Sequence, residues 1–328
     1  MMKKILGLIF IISSALAVDF YFFLNQPLGV DEEQYYNFAP GSSVSSLARD
    51  LEKKQIISNR MYFSVWARVT GNARLLKAGE YQLNKDMTVL DLFGLMKKGK
   101  VRLYSLTIVE GITFKQMMQQ VNASPNLKHN LKLLNNEQIM QALGHAGEHP
   151  EGRFFPDTYL FHKDMSDVDL LRQAYQQQKK RLQSSWESRE TGLPLNSAYE
   201  ALTLASIVEK ESAIAQEHKQ SAGLFINRLR KGMRRQTGPT VIHGIGDDYN
   251  GDIRFKDLRK DTPYNTYTRK GLPPTPIAMP GQGSLDAVSH PDSTEYIYFV
   301  AMSDSSGRHI FSKTLKEHEH AVDVHQRK

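Results

Sequence analysis

The stretch Ser197-Ala-Tyr-Glu-Ala-Leu-Thr-Leu-Ala-Ser-Ile-Val-Glu-Lys-Glu211 reads as a helix that the rest of a domain must cover. Ser197 and Glu200 have the spacing of a capping box ahead of an apolar run. From Ala201 to Val208 only Thr203 and Ser206 are polar. A helix that is apolar around nearly its whole circumference belongs in a core. It ends in Glu209-Lys210-Glu211. On a helix Glu209 shares a face with Leu202 and Ser206. A carboxyl held against apolar neighbours is pushed up in pKa, because desolvation disfavours the charged form. An acid still protonated near neutral pH is what a glycosidic leaving oxygen needs. Glu209 is therefore the first candidate acid. Glu211 lies nearly opposite around the helix, so the two carboxylates do not converge easily on one bond. Periodicity alone also fits a plain solvated helix end. Ordinary glycoside hydrolysis wants a carboxyl pair about 5–9 Å apart. No second member is obvious in the sequence, although Asp157 or Asp261 could fold in.

Working outward, Asp167 to Arg189 reads as a long helix, and Ala215 to Arg230 as another, ended at Gly232. Residues 238–283 are rich in Gly, Pro, Asn, Asp and Tyr and read as loops with short strands. Tyr296 to Ala301 is strand-like, His309 to Phe311 a candidate partner, and Thr314 to His325 a polar helix. Upstream, Val101 to Val109 reads as a strand and Thr113 starts a helix. Asn122 to Asn136 is the segment expected to be most flexible. Ser43 to Lys54, Met61 to Arg68 and Thr88 to Lys97 show helical spacing. Thr88 and Asp91 form a capping box, and Gly99 closes that helix. Residues 25–40, with Pro27, Gly29 and three acidic residues, read as a linker.

The N-terminus has Lys3 and Lys4, then an apolar run of about 20 residues to Leu24, the length needed to cross a bilayer. Ala15-Leu16-Ala17 could serve as a cleavage site. The aromatic run Phe20 to Phe23 beyond it favours an uncleaved signal anchor with an interfacial belt. The lysines put the N-terminus in the cytoplasm and the rest outside.

The chain has 328 residues, net charge +7 and no cysteine. Disulfides and thiolate metal sites are excluded. The charge favours anionic partners, yet the densest basic run, Arg228 to Arg235, lacks interleaved aromatics. It reads as a solvated helix end or as a groove wall, and nucleic acid is not expected. Asp248-x-Asn250-x-Asp252 starts like a calcium loop, but Ile253 stands where glycine is required and Arg259 where Glu should close it. His318, His320 and His325 lack metal-ligand spacing. No metal and no cofactor are expected.

Several segments in one order resemble a known family. Leu204 to Glu211 resembles the signature helix of the MltG (YceG-like) family of endolytic murein transglycosylases. Glu151-Gly-Arg-Phe-Phe-Pro-Asp-Thr-Tyr159, Phe225-Ile-Asn-Arg-Leu229, Gln236-Thr-Gly-Pro-Thr-Val-Ile242, Tyr264-Asn-Thr-Tyr267, Gly271-Leu-Pro-Pro274, Ile277-Ala-Met-Pro-Gly281 and Tyr298-Phe-Val300 resemble further motifs of that family. The resemblance covers nearly the whole chain. It implies an α+β fold: a transmembrane signal anchor with a cytoplasmic tip over residues 1–24, a linker over 25–40, a small LysM-like α/β module over 41–102, and a YceG-like mixed catalytic domain over 103–328.

The implied reaction is non-hydrolytic cleavage between N-acetylmuramic acid and N-acetylglucosamine, leaving 1,6-anhydro ends. One acid serves twice, first as proton donor and then as base, which removes the need for a carboxyl pair. The family's catalytic glutamate carries over to Glu209, with Glu211 as second choice. Gln236, Thr240, Tyr264, Asn265 and Tyr267 are the implied groove residues, and Asp157 is a supporting one. Each of these could equally brace a loop. Gly238 stands where the family commonly has Asp, and Met279 where Asn is usual. The implied partners are glycan strands, the penicillin-binding synthases that make them, and the inner membrane, with the catalytic domain in the periplasm. A non-catalytic LysM-type scaffold and a hydrolytic muramidase remain open. A pyridoxal-phosphate lyase does not fit the exported topology.

Overall fold

The computed structural model describes residues 2–212, 214–304 and 306–326. Met1 and residues 327–328, at the ends of the expected segments 1–24 and 103–328, lie outside it. The chain divides into two compact units. The first runs to Ser105 and adds two short returns, residues 126–128 and 160–165; the second holds the remainder. The two returns lie beyond the expected boundary after residue 102 and involve residues of the short strand pairs.

In the first unit α1 (Met2–Asn25) is exposed and apolar along most of its length. Its segment Lys4–Asn25 is long and apolar enough to cross a membrane. Its last turn joins a core, with Phe23 and Leu24 buried. The following residues, expected as a linker, instead carry β1 (Gln34–Phe38), which pairs antiparallel with β2 (Gly79–Leu83), Tyr36 opposite Tyr81. Leu28, Val30, Tyr36 and Phe38 are buried. The linker reading failed because Pro27 and Gly29 were taken as loop signals. Gly29 is instead a packing requirement: its N–H donates to Ile56 O at 2.9 Å, and a Cβ there would lie 1.9 Å from Gln55 O.

Over this pair lie α2 (Val44–Lys53), α3 (Arg60–Val69) and α4 (Val89–Lys98). Their starts follow the sequence: Ser43 Oγ accepts from Ser46 N, and Thr88 and Asp91 form a reciprocal capping box. Gly99 closes α4 at φ 66°, a left-handed conformation that favours glycine. Phe63 and Phe93 stack at 4.2 Å in the centre.

The second unit begins within β3 (Leu103–Thr107) and continues through α5 (Phe114–Ala123); after β4 (Leu127–Lys128), which belongs to the first unit, it resumes with α6 (Asn136–Leu143). β3 pairs with β5 (Thr158–His162), and β4 with β6 (Met165–Ser166). The polar stretch before α6 is pinned: the buried carboxylate of Asp167, first residue of α7 (Asp167–Glu187), accepts from Asn130 N and Leu131 N at 3.0 Å.

Next comes α8 (Ala198–Glu211). Every residue from Ala201 to Val208 is buried, as the sequence required. Only half of the expected capping box forms at its start. Ser197 Oγ accepts from Glu200 N, but the Glu200 carboxylate takes Asn196 N at 2.7 Å, one residue upstream. Around α8 pack α7, α9 (His218–Arg230), α10 (Gly238–Ile245) and α12 (Gln282–Ser289). Residues 238–283, expected as loops with short strands, contain α10 and α11 (Phe255–Arg259) and no strand among the described residues. Then β7 (Tyr298–Ala301) and β8 (His309–Ser312) pair antiparallel, and α13 (Leu315–His325) packs on both.

Phe63 has no exposed surface. Phe63→Ala is expected to destabilise the first unit by ~3–5 kcal/mol, the usual cost of a buried aromatic cavity. Chemical denaturation followed by Trp66 fluorescence would check this, with Phe63→Leu recovering part of the loss.

Candidate active site

At about 100° per residue, Glu209 and Glu211 leave α8 in nearly opposite directions. Glu209 is held by α12: its Oε2 accepts from Gly281 N at 3.0 Å and from Ser284 Oγ at 2.7 Å. The free amides and dipole of a helix N-terminus suit an anion there. Ser284 Oγ lies 3.3 Å from His218 Nδ1, whose other ring nitrogen is 3.0 Å from Ser212 O. The apolar setting read for Glu209 is therefore not what its carboxylate meets.

A second carboxyl, which the sequence did not reveal, lies beside it. A Cβ on Gly281 would fall 1.8 Å from Glu110 Oε1. Burial, then the charge of Glu209, push the Glu110 carboxyl up, and His218 opposes this. The only sequence signals were Glu110-Gly111 after a strand and the glycine of Pro280-Gly281. The two acids suggested as partners do not join this cluster. Asp157 is exposed and takes Gln177 Nε2 and its neighbour Thr158 N. Asp261 is gripped by Arg269 at 2.8 and 3.0 Å, whose hydrogen bonds pull it down to about 2.

On the other side Glu211 lines a cavity of about 470 Å3 with Arg228, Gln236, Gly238, Tyr267 and Tyr298. Its Oε1 is shielded from solvent and has no hydrogen-bond partner. Burial pushes its carboxyl up to about 7, against the charge of Arg228 and the Thr237 side chain. Arg228 is buried, with Nε donating to Ile297 O at 2.6 Å and Nη1 to Arg235 O. Burial and the Glu211 charge push Tyr267 up. His318 stacks on Tyr298 at 5.2 Å, and burial pushes it down, which favours a neutral ring. Gln236 stands at the cavity with φ 53°, a left-handed strain for a residue with a side chain. Gly238 is closely fitted: an added Cβ would meet the end of the Ile253 side chain, Cδ1 at 3.3 Å, which would have to shift slightly.

Of the sequence candidates, the cavity thus gathers Glu211, Gln236 and Tyr267. Thr240 is buried and bonded to Thr237 O and Thr266 Oγ1. Asn265 is a loop brace, its amide donating to the carbonyls of Asp257, Leu258 and Lys260 and its oxygen accepting from Tyr267 N. Tyr264 bonds Thr275 Oγ1 at 2.9 Å and packs edge-on against His243. Met279 is fully buried, its backbone paired with Gly111 and Ile112. Among the described residues no group of three or more His, Asp or Glu side chains could hold a metal ion.

This architecture has close relatives. The model of the YceG-like family matches residues 36–324. The chain belongs to the YceG-like family. It is 33% identical over 307 residues to the endolytic murein transglycosylase of Bacillus subtilis, covering 88% of this chain and 83% of that one. The Streptococcus pneumoniae endolytic murein transglycosylase is 28% identical, over 91% of this chain and 60% of that one. The crystal structure of a YceG-like protein from Listeria monocytogenes superposes with TM-score 0.56 at 32% identity, covering 89% of this chain and 99% of that one.

The family-like segment Glu151–Tyr159 also holds a buried acid. Glu151 Oε1 accepts from Phe114 N at 2.9 Å, and burial pushes its carboxyl up to about 7 against that bond and one from Gly152. Its folded pKa stands above the ordinary 4.5. Between these values the folded state holds more protons than the unfolded one, so stability falls as pH rises through that window. Glu151→Gln is expected to raise stability by roughly 1–3 kcal/mol at pH 8 and to give no gain at pH 4. Thermal melts of both proteins at the two pH values would check the sign.

Proposed function

We propose that Glu211 is the general acid of an endolytic murein lytic transglycosylase, and that Glu209 fixes the end of α8 against α12. The chain is an enzyme acting on peptidoglycan, cutting glycan strands internally with 1,6-anhydro ends. The observation that carries the assignment within it is the Glu211 carboxyl itself: unpartnered at Oε1, raised to about 7, and facing the cavity that gathers Gln236 and Tyr267. Protonated Glu211 gives its proton to the oxygen between N-acetylmuramic acid and N-acetylglucosamine. The resulting carboxylate, steadied by Arg228, takes the proton of the muramyl C6 hydroxyl, whose oxygen closes onto C1. No water is consumed, and the acid ends as it began. Gln236 supplies an amide for an N-acetyl group, and Tyr267 and Tyr298 supply faces for sugar rings.

Glu211→Gln is expected to lower glycan cleavage by ~10²–10⁴-fold, the usual worth of a positioned acid–base group. Glu209→Gln is expected to act mainly on stability. Mass spectrometry of digested strands should find 1,6-anhydromuramic ends for the wild type. A dead Glu209→Gln beside an active Glu211→Gln would return the acid role to Glu209.

The reaction needs the protonated acid first, so kcat/KM is expected to fall as pH rises through about 7. Gly238→Asp would place a like charge in the same cavity and move that limb to higher pH, which pH–rate profiles of the two proteins would resolve.

The anchor reading is supported by the length and exposure of α1. On it, residues 1–24 are a single-pass signal anchor in the inner membrane with a cytoplasmic N-terminus, and the remainder is periplasmic. A LysM-like module that holds glycan is supported by the helices packed on the β1–β2 pair around their own core. Penicillin-binding synthases are the proposed partners, because a membrane-anchored endolytic enzyme meets strands where they are made. Recovery of such a synthase from solubilised membranes would check this.

A further inference from the structure

The second helix of the first unit's helical pair, α3, shows a layered arrangement of side chains around its axis. At about 100° per residue, Tyr62 and Trp66 share one face, Val69, Val65 and Met61 come next, and Arg68, Ser64 and Arg60 follow. Tyr62 and Trp66 pack on the end of α1: Phe20 lies 5.2 Å from the Tyr62 ring and 5.9 Å from the Trp66 ring, and Phe23 lies 5.5 Å from Tyr62. Tyr62 OH donates to Asp19 Oδ2 at 2.8 Å. These contacts fix α3 beside residues 19–23, the last turns of the apolar segment Lys4–Asn25.

The next face is apolar and uncovered, with Met61 69%, Val65 46% and Val69 78% exposed. Beyond it a groove of about 430 Å3 between α2 and α3 is lined by Ser45, Arg49, Arg60, Met61, Ser64, Val65 and Arg68, with no carboxylate among them. Arg60 pairs loosely with Glu52 at 3.5 Å, and Arg68 donates to the Ser45 hydroxyl at 3.0 Å. Arg49 has no ion pair among the described residues. An aliphatic stripe bordered by Tyr62 and Trp66 on one side and by guanidinium groups on the other matches an acyl boundary, whose interface takes both aromatic rings and arginines.

We propose that α3 lies in the membrane interface and that the groove between α2 and α3 binds anionic phospholipid headgroups of the bilayer in which α1 is anchored. The inference rests on the anchor reading of α1. The occupant follows from the geometry: an uncovered apolar stripe bordering the helix that enters the bilayer, next to a cluster of three arginines that matches phosphate. The arrangement would hold the first unit at the membrane surface, not free at the end of a tether.

The chain has no cysteine, so single labels are clean. The full-length protein is placed in nanodiscs of zwitterionic lipid with and without anionic lipid, carrying a spin label at Val65→Cys, Ile9→Cys or Leu133→Cys. Accessibility to oxygen against a water-soluble relaxant reports depth. The expected result is immersion of the label at 65 in anionic discs, with position 133 in water. The triple change Arg49→Gln, Arg60→Gln, Arg68→Gln should lower the immersed population by about fivefold per arginine, and the matching triple Lys change should retain it.

A water-exposed label at 65 with position 9 immersed overturns this inference and leaves the anchor standing. A water-exposed label at 9 removes the anchor reading itself, and this inference with it. Equal immersion in zwitterionic discs, or in the triple Gln protein, overturns the headgroup assignment. So does release by inorganic pyrophosphate in unchanged discs, which would make the groove a site for a different phosphate.

Discussion

The second unit depends on the burial of α8. Eight consecutive residues, Ala201 to Val208, are covered on all sides by α7, α9, α10 and α12. Two of them are polar, and both are satisfied locally: Thr203 Oγ1 donates to Tyr199 O and Ser206 Oγ to Thr203 O. Ser206 Oγ also accepts from Ile277 N at 3.0 Å, so the same hydroxyl that settles the helix fixes the loop leading to Gly281. A helix clamped this way has little freedom to rotate or slide. Its last turn therefore presents Glu209 and Glu211 in fixed and opposite directions, and each carboxyl takes its character from what the surrounding elements bring to it.

That division is why Glu211 is the proposed acid although the sequence puts Glu209 first. Periodicity gave Glu209 the apolar neighbours Leu202 and Ser206 on its own helix. The donors it meets come from Gly281 and Ser284, more than seventy residues downstream. Burial raises Glu211, whose cavity is closed by residues of α9, α13 and the β7–β8 pair. The residues of one helix rank how apolar its own faces are. They do not reveal which polar groups other elements deliver there.

The same limit sets what else was legible. Helix starts written in adjacent residues were readable: Ser43, and Thr88 with Asp91, cap as their spacing indicates. The pairing of His309–Phe311 with Phe299–Ala301 was readable from two apolar runs. Residues 25–40 were not, because Gly29 looks like a loop glycine until Gln55 O is seen against it. Glu110 was not, because only the missing Cβ of Gly281 makes room for it. Thr240 and Asn265 carry polar groups in a family-like segment and still prove to be braces, since their partners are backbone carbonyls and a threonine of neighbouring turns. Residue type at a motif position says what a side chain can do; burial and partners decide which of its abilities is spent on the fold.

The chemistry then constrains the acid more tightly than the fold does. A residue that donates a proton to the leaving oxygen and afterwards removes one from the C6 hydroxyl is used in both charge states within one turnover. Each step is easiest when neither state is strongly preferred at the working pH. Two opposing influences bring Glu211 to about 7: burial raises it, and the buried guanidinium of Arg228 holds the rise in check. Arg228 is itself tied to the carbonyls of Ile297 and Arg235, so its charge cannot swing away when the carboxyl is protonated. On the proposed assignment a single acid serves both halves of the reaction because the counter-charge is part of the core, and the cavity wall at Gly238 contributes no second acid to displace that balance.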